Sequence, residues 1–151
     1  MYQEAAADPR ACRSLGARRV GIDLCRASDV EASIAQFGDR YLKRVFTERE
    51  LDYANQAMPQ RAERLAARFA AKEATLKVLR PIDVRPNWRS IEVVRSTHGW
   101  CEVVLSETAA EIARQQGIQH IALSMSHDAG IATAIVFADV HQHSTPHQEG
   151  L

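Results

Sequence analysis

"RFAAKEATLK", residues 68–77, decides how this chain folds. It is the middle of a helical pattern running from about Gln60 to Leu79 and halted by Pro81, which cannot continue a helix. At about 100° per residue, Ala66, Phe69, Ala70 and Lys77 fall within roughly 60° of Glu73. Leu65 and Leu76 lie slightly farther round, so Glu73 borders the apolar stripe. The alanines let another element approach the helix closely. A carboxylate at such a border needs a partner, because burying it unpaired is costly. Lys77, four residues on, supplies one. By itself that pair reads as surface electrostatics worth about 0.2–0.5 kcal/mol.

Working outward, the N-terminal side supplies a strand and further helices. "RRVGIDL" (18–24) alternates, which predicts a half-buried strand with Val20, Ile22 and Leu24 on the core side and Gly21 and Asp23 opposite. Ser28 with Glu31 forms an S-x-x-E capping box that opens a helix through Val30, Ile34 and Phe37, ended or kinked near Gly38. Thr47 with Glu50 repeats the pattern before "ERELDYANQA" (48–57). Past Pro81 the period changes from helix to strand. "WRSIEVVRS" and "WCEVVLS" flank "THG" as a hairpin, and Ser106 caps the helix "ETAAEIARQQ", closed by Gly117. "IQHIALSMSHD" and "IATAIVFADV" form a second strand pair across "AG" (129–130). The order predicts an α+β fold, with helices packed on a mostly antiparallel sheet.

The chain has 151 residues, 46% of them hydrophobic, enough for one core and one domain, expected over 19–139. Residues 1–18 and 140–151 read as an N-terminal extension and a polar tail. Nineteen basic and 19 acidic side chains cancel, so neither nucleic acid nor membrane is an expected partner, and any charged partner must use a local patch. Three cysteines, Cys12, Cys25 and Cys101, without C-x-x-C spacing favour a reducing cytoplasm over a disulfide framework or zinc site. No signal-peptide core or membrane-length apolar run is present.

Asp23 changes the reading of Glu73. A strand aspartate beside Gly21, which leaves room for close approach, combines with a helical glutamate as a site for Mg²⁺, a hard cation that completes its shell with water and phosphate oxygens. Lys72 and Lys77 then face phosphate as point charges.

"GID" (21–23), "VFTERE", "LAARFAAKEATLK", "SIEV" and "SMSHD" closely resemble, in order and spacing, the acyl-carrier-protein synthase type of 4′-phosphopantetheinyl transferase. The resemblance runs from about Val20 to Asp139, and the paired signature G-[IV]-D and F-x-x-K-E-x-x-x-K carries it. It implies the transferase's fold, Mg²⁺ on Asp23 and Glu73, coenzyme A as co-substrate, and transfer of 4′-phosphopantetheine to a serine of an apo acyl carrier protein with release of adenosine 3′,5′-bisphosphate. Lys77 then stabilises developing charge, Lys72 reaches another phosphate, and His127 contacts coenzyme A. Glu73 or a metal-bound water takes the serine proton. Such proteins are homotrimers with coenzyme A between subunits.

Two positions depart from the pattern. Many relatives carry arginine six residues after the motif aspartate, where it engages the carrier; here Asp29 reverses the charge and suits a helix N-terminus, with Arg26 a possible substitute. The glycine-containing loop expected after Lys77 is replaced by "VLRPIDVRPNW", so Arg80 or Arg85 becomes the candidate phosphate contact. Arg61, Arg64, Arg68 and Lys72 form a basic stripe, read as a solvated face. With the cluster Arg40, Lys43 and Arg44 it is a candidate docking surface for an acidic carrier. Glu50 reads as part of its capping box, and His141, His143 and His147 as tail residues. The rival readings are a Mg²⁺-dependent nuclease, disfavoured by helical E-x-x-x-K spacing and neutral charge, and a non-catalytic carrier-binding subunit, disfavoured by retention of both acids and both lysines.

Overall fold

The computed structural model describes residues 17–141. Its elements are β1 (Ala17–Arg26), α1 (Ala27–Phe37), α2 (Asp39–Val45), α3 (Glu48–Asn55), α4 (Arg61–Leu79), β2 (Ile91–Arg95), β3 (Cys101–Leu105), α5 (Glu107–Gln115), β4 (Ile118–Asp128) and β5 (Ile131–Val140). The α+β expectation holds. β1, β5 and β4 form an antiparallel sheet in that order, and β2 pairs with β3 in a separate hairpin. β1 begins at Ala17, and β5 runs to Val140, its partner, so these residues and Arg18 belong to the sheet rather than to the extensions. Cys12, His143 and His147 lie outside the described residues. Among the described residues no helix is long and apolar enough to cross a membrane.

Local chemistry accounts for most boundaries. The Thr47–Glu50 capping box is complete in both directions. Gly38, at φ 55°, ends α1 where the sequence predicts an end or a kink, and α2 begins directly after it. The other two caps differ from expectation. α1 starts at Ala27 with Arg26 as N-cap, ahead of Ser28, because the Ala27 amide is held by the Gly130 carbonyl at 2.8 Å. Ser106 stands at the N-cap of α5 but its side chain makes no capping bond.

α4 lies across the inner face of the β1–β5–β4 sheet. Ala70, Ala71 and Ala74 are fully buried against Ala134, Val136 and Ala138 of β5. Small residues on both sides bring the helix axis down onto the strands. The same requirement inverts the predicted facing of β1. Gly21, Asp23 and Cys25 face α4, while Val20, Ile22 and Leu24 are 56%, 57% and 66% exposed. Alternation was read correctly, but the side covered by α4 is the one with room for it. A Cβ placed on Gly21 would stand 2.1 Å from the Ala74 carbonyl oxygen and 3.2 Å from Lys77 Cβ. Phe37, at the end of α1, is also exposed.

Gly21→Ala therefore forces α4 away from β1, because the obstacle is backbone rather than a movable side chain. The expected cost is about 1–3 kcal/mol, seen as a lower urea midpoint at an unchanged slope. An unaltered midpoint would show that the seam yields freely.

Candidate active site

The β1–α4 seam carries the charged groups singled out in the sequence. With Gly21 at the crossing, the next inward-facing residue of β1 is Asp23, opposite Ala134 of β5. Lys77 Nζ donates to Asp23 Oδ1 at 2.9 Å and to the Ile22 carbonyl oxygen at 2.6 Å. Glu73 sits one turn earlier on the same edge of α4. Burial pushes its pKa above the ordinary carboxylate value and the nearby Asp23 charge adds to the rise, while Arg85 and Lys77 pull it down. Cys25, the next inward residue of β1, is pushed up to about 11 by burial and then by Asp29, Asp23 and Glu73. Its thiol therefore stays protonated at neutral pH and is no nucleophile.

The donors gathered here are all oxygens: two carboxylates and the Ile22 carbonyl beside them. That set suits a hard divalent cation that keeps water and phosphate in its remaining positions. No cluster of three or more His, Cys, Asp or Glu side chains able to hold a metal occurs among the described residues.

The cationic side of the site follows the atypical loop after α4. Arg85 acts electrostatically on Glu73, and with Arg44, Leu76 and Trp88 it lines a cavity of about 440 Å³ beside the seam. Trp88 packs on Phe69 with ring centroids 5.3 Å apart, fixing that wall. Arg80 takes a left-handed conformation at the C-cap of α4, exposed and close enough to Arg19 to lower the latter's pKa, after the larger effect of burial. Of the two candidate arginines, Arg85 is the one whose charge acts on Glu73. The sequence offered both and had no means to choose.

Lys72 does not reach the site. Its ammonium is fully buried, paired with Glu50 Oε2 at 2.9 Å and donating to the carbonyls of Trp88, at 3.0 Å, and Ile91. Glu50 also accepts from the amides of Thr47 and Val93. All three ammonium protons are thus used inside the fold, so the expected phosphate contact is replaced by a structural one. Burial lowers the Lys72 pKa, with Glu50 opposing. The five-residue offset from Lys77 turns the two lysines about 140° apart on α4.

The basic stripe likewise turns inward. Arg68 is 3% exposed with Cζ 4.1 Å from the centre of the Tyr53 ring, and Arg64 stacks on the same ring at 4.6 Å. Its buried half is therefore packing and not a solvated docking face. Arg40, Lys43 and Arg44 of α2 do remain exposed. Asp29 occupies the first turn of α1, where a negative charge is favourable.

His127 stands apart. It lies at the end of β4, its Nδ1 3.6 Å from Glu63 near the start of α4. Glu63 and Glu73 are ten residues apart, roughly 15 Å along a helix. Within one chain, His127 and the Asp23–Glu73–Lys77 group do not converge.

Comparison with known proteins returns one family. The model of the 4′-phosphopantetheinyl transferase superfamily matches residues 19–136. The holo-[acyl-carrier-protein] synthase of Solibacter usitatus is 35% identical over 122 residues, covering 79% of this chain and 95% of that protein. The Moorella thermoacetica protein of the same name is 39% identical over 119 residues, covering 79% and 91%. Among solved structures, the Chronobacterium ammoniagenes ACPS–CoA complex aligns with a TM-score of 0.74 at 30% identity, covering 83% of this chain and 99% of that one. The Helicobacter pylori holo-[acyl-carrier-protein] synthase in complex with coenzyme A aligns with a TM-score of 0.69 at 27% identity, covering 80% and 100%.

Removing one member of the Glu50–Lys72 pair leaves a buried charge unmatched. Glu50→Ala should lower the unfolding free energy by about 3–5 kcal/mol in chemical denaturation. Wild-type stability would mean that Lys72 is not committed to the core.

Proposed function

The chain belongs to the 4′-phosphopantetheinyl transferase superfamily, and from that membership we propose that it is a Mg²⁺-dependent enzyme that moves 4′-phosphopantetheine from coenzyme A to a serine of an apo acyl carrier protein, releasing adenosine 3′,5′-bisphosphate. The observation that carries the reading is the β1–α4 seam, where Asp23 and Lys77 meet at 2.9 Å with Glu73 beside them. Bound by Asp23 and Glu73, Mg²⁺ would neutralise pyrophosphate charge and polarise the phosphorus attached to pantetheine. Lys77 supplies a positive charge to the phosphoryl oxygens, and Arg85 adds a second from the loop. The serine oxygen forms a new bond to phosphorus as the pyrophosphate bond breaks. The serine proton would pass to Glu73 or to a water held by the metal, as the resemblance implies. The exposed cations of α2, Arg40, Lys43 and Arg44, offer the acidic carrier a complementary surface.

The active assembly is a homotrimer with sites between subunits. Two observations support this. Val20, Ile22, Leu24, Ile131 and Phe137 leave an apolar sheet face, each between 43% and 66% exposed, on the side away from α4. His127, remote from the acids in its own chain, is then available to coenzyme A held by a neighbour. Such an enzyme works in the cytoplasm, beside the carriers it loads.

Incubated with coenzyme A, Mg²⁺ and apo carrier protein, the chain should add phosphopantetheine to the carrier serine, read as a mass increase by mass spectrometry. Asp23→Asn and Glu73→Gln should each lower transfer at least 100-fold (~2.7 kcal/mol of transition-state stabilisation) while leaving the fold intact. Absence of transfer by folded wild-type protein across several carriers would sink the assignment. Light scattering should give a mass of three chains, and Phe137→Lys should lower it. Co-expressed Asp23→Asn and His127→Ala chains should regain activity that neither has alone; if they do not, His127 does not act across a subunit boundary.

A further inference from the structure

Lys77 holds the carboxylate that the proposed metal needs. Its Nζ is 2.9 Å from Asp23 Oδ1 and 2.6 Å from the Ile22 carbonyl, and Glu73 lies one turn away on the same helix. The ammonium is therefore the internal counter-charge of a site with two carboxylates, Asp23 and Glu73, in mutual repulsion. The pair is also easy to open. The Lys77 side chain is 51% exposed and Asp23 21%, a half-solvated contact of the kind worth little net energy. Its Cβ lies against the Gly21 crossing, and its ammonium reaches out to the half-exposed end of the seam. Lys72, wholly buried with its protons consumed, cannot take its place.

Resting on the metal reading above, we propose that Lys77 and the divalent cation compete for Asp23, so that metal arrival releases Lys77 toward the substrate phosphates. The lysine thus holds the acids together and is handed on to the phosphoryl oxygens when a better cation takes its carboxylate. By linkage, an anionic substrate that attracts the ammonium away from Asp23 strengthens metal binding, and part of the coupling between coenzyme A and the metal passes through this one side chain. A lysine that only attracts phosphate from a fixed position produces no such coupling.

The test uses Mn²⁺ as the probe, bound to the full chain and followed by electron paramagnetic resonance, with and without coenzyme A, and with thermal melting to confirm folding. Lys77→Met should tighten Mn²⁺ binding about five-fold without coenzyme A, the factor lost with an exposed ion pair. The gain in Mn²⁺ affinity on adding coenzyme A should shrink by a similar factor. Lys77→Arg, which keeps a charged partner for Asp23, should stay close to wild type in both measurements. Mn²⁺ affinity unchanged or weaker in Lys77→Met, or coenzyme A coupling of wild-type size, overturns the competition. Mn²⁺ binding that survives Asp23→Asn and Glu73→Gln instead overturns the metal assignment, so the two failures are told apart.

Discussion

The contact between the Gly21 backbone and the Ala74 carbonyl is the constraint on which the rest of the molecule depends. A single missing Cβ lets α4 rest directly on β1. Once that distance is set, the two-residue step along the strand carries Asp23 to the level of Lys77, and the four-residue step along the helix places Glu73 beside both. Strand and helix periods coincide at this crossing and separate on either side of it. The site is thus a consequence of close packing more than of loop design. The alanines of α4 and β5 extend the same close approach across the sheet.

A second polar lock holds the opposite flank of α4. Lys72 and Glu50 are both fully buried, and each completes its hydrogen bonding inside the fold. Because Glu50 also closes the α3 capping box and accepts from Val93 of β2, one carboxylate joins α3, α4 and the hairpin. Such a network is tolerated in a core only when every member is satisfied. It fixes the rotation of α4 about its axis, and that rotation aims Glu73 and Lys77 at β1. Arg68 and Arg64, stacked on Tyr53, reinforce the same setting.

Much of this was legible in the chain. Helix and strand order followed from periodicity and the Thr47–Glu50 cap from its spacing, while Asp23, Glu73 and Lys77 stood out as candidates by their positions within a recognisable signature. What escaped the sequence was direction. Val20, Ile22 and Leu24 look like a core-facing row because they are apolar, yet a strand has two faces and alternation does not say which one a helix covers. Their exposure leaves an apolar surface on the side away from α4. Lys72 was misjudged for a related reason. A charged residue at helical spacing looks solvated until a buried carboxylate from α3, 22 residues earlier, is found against it.

The sequence by itself determined the α+β class and the element order and singled out Asp23, Glu73 and Lys77 as candidates, since these rest on local period and on residue types that the proposed chemistry requires. Only the tertiary structure decided which lysine meets Asp23, which arginine of the atypical loop acts on Glu73, and that His127 does not converge with the acids of its own chain. The physical reason is that burial and charge pairing join residues distant in sequence. A lysine's role is set by the carboxylate it meets, and that meeting is made by packing.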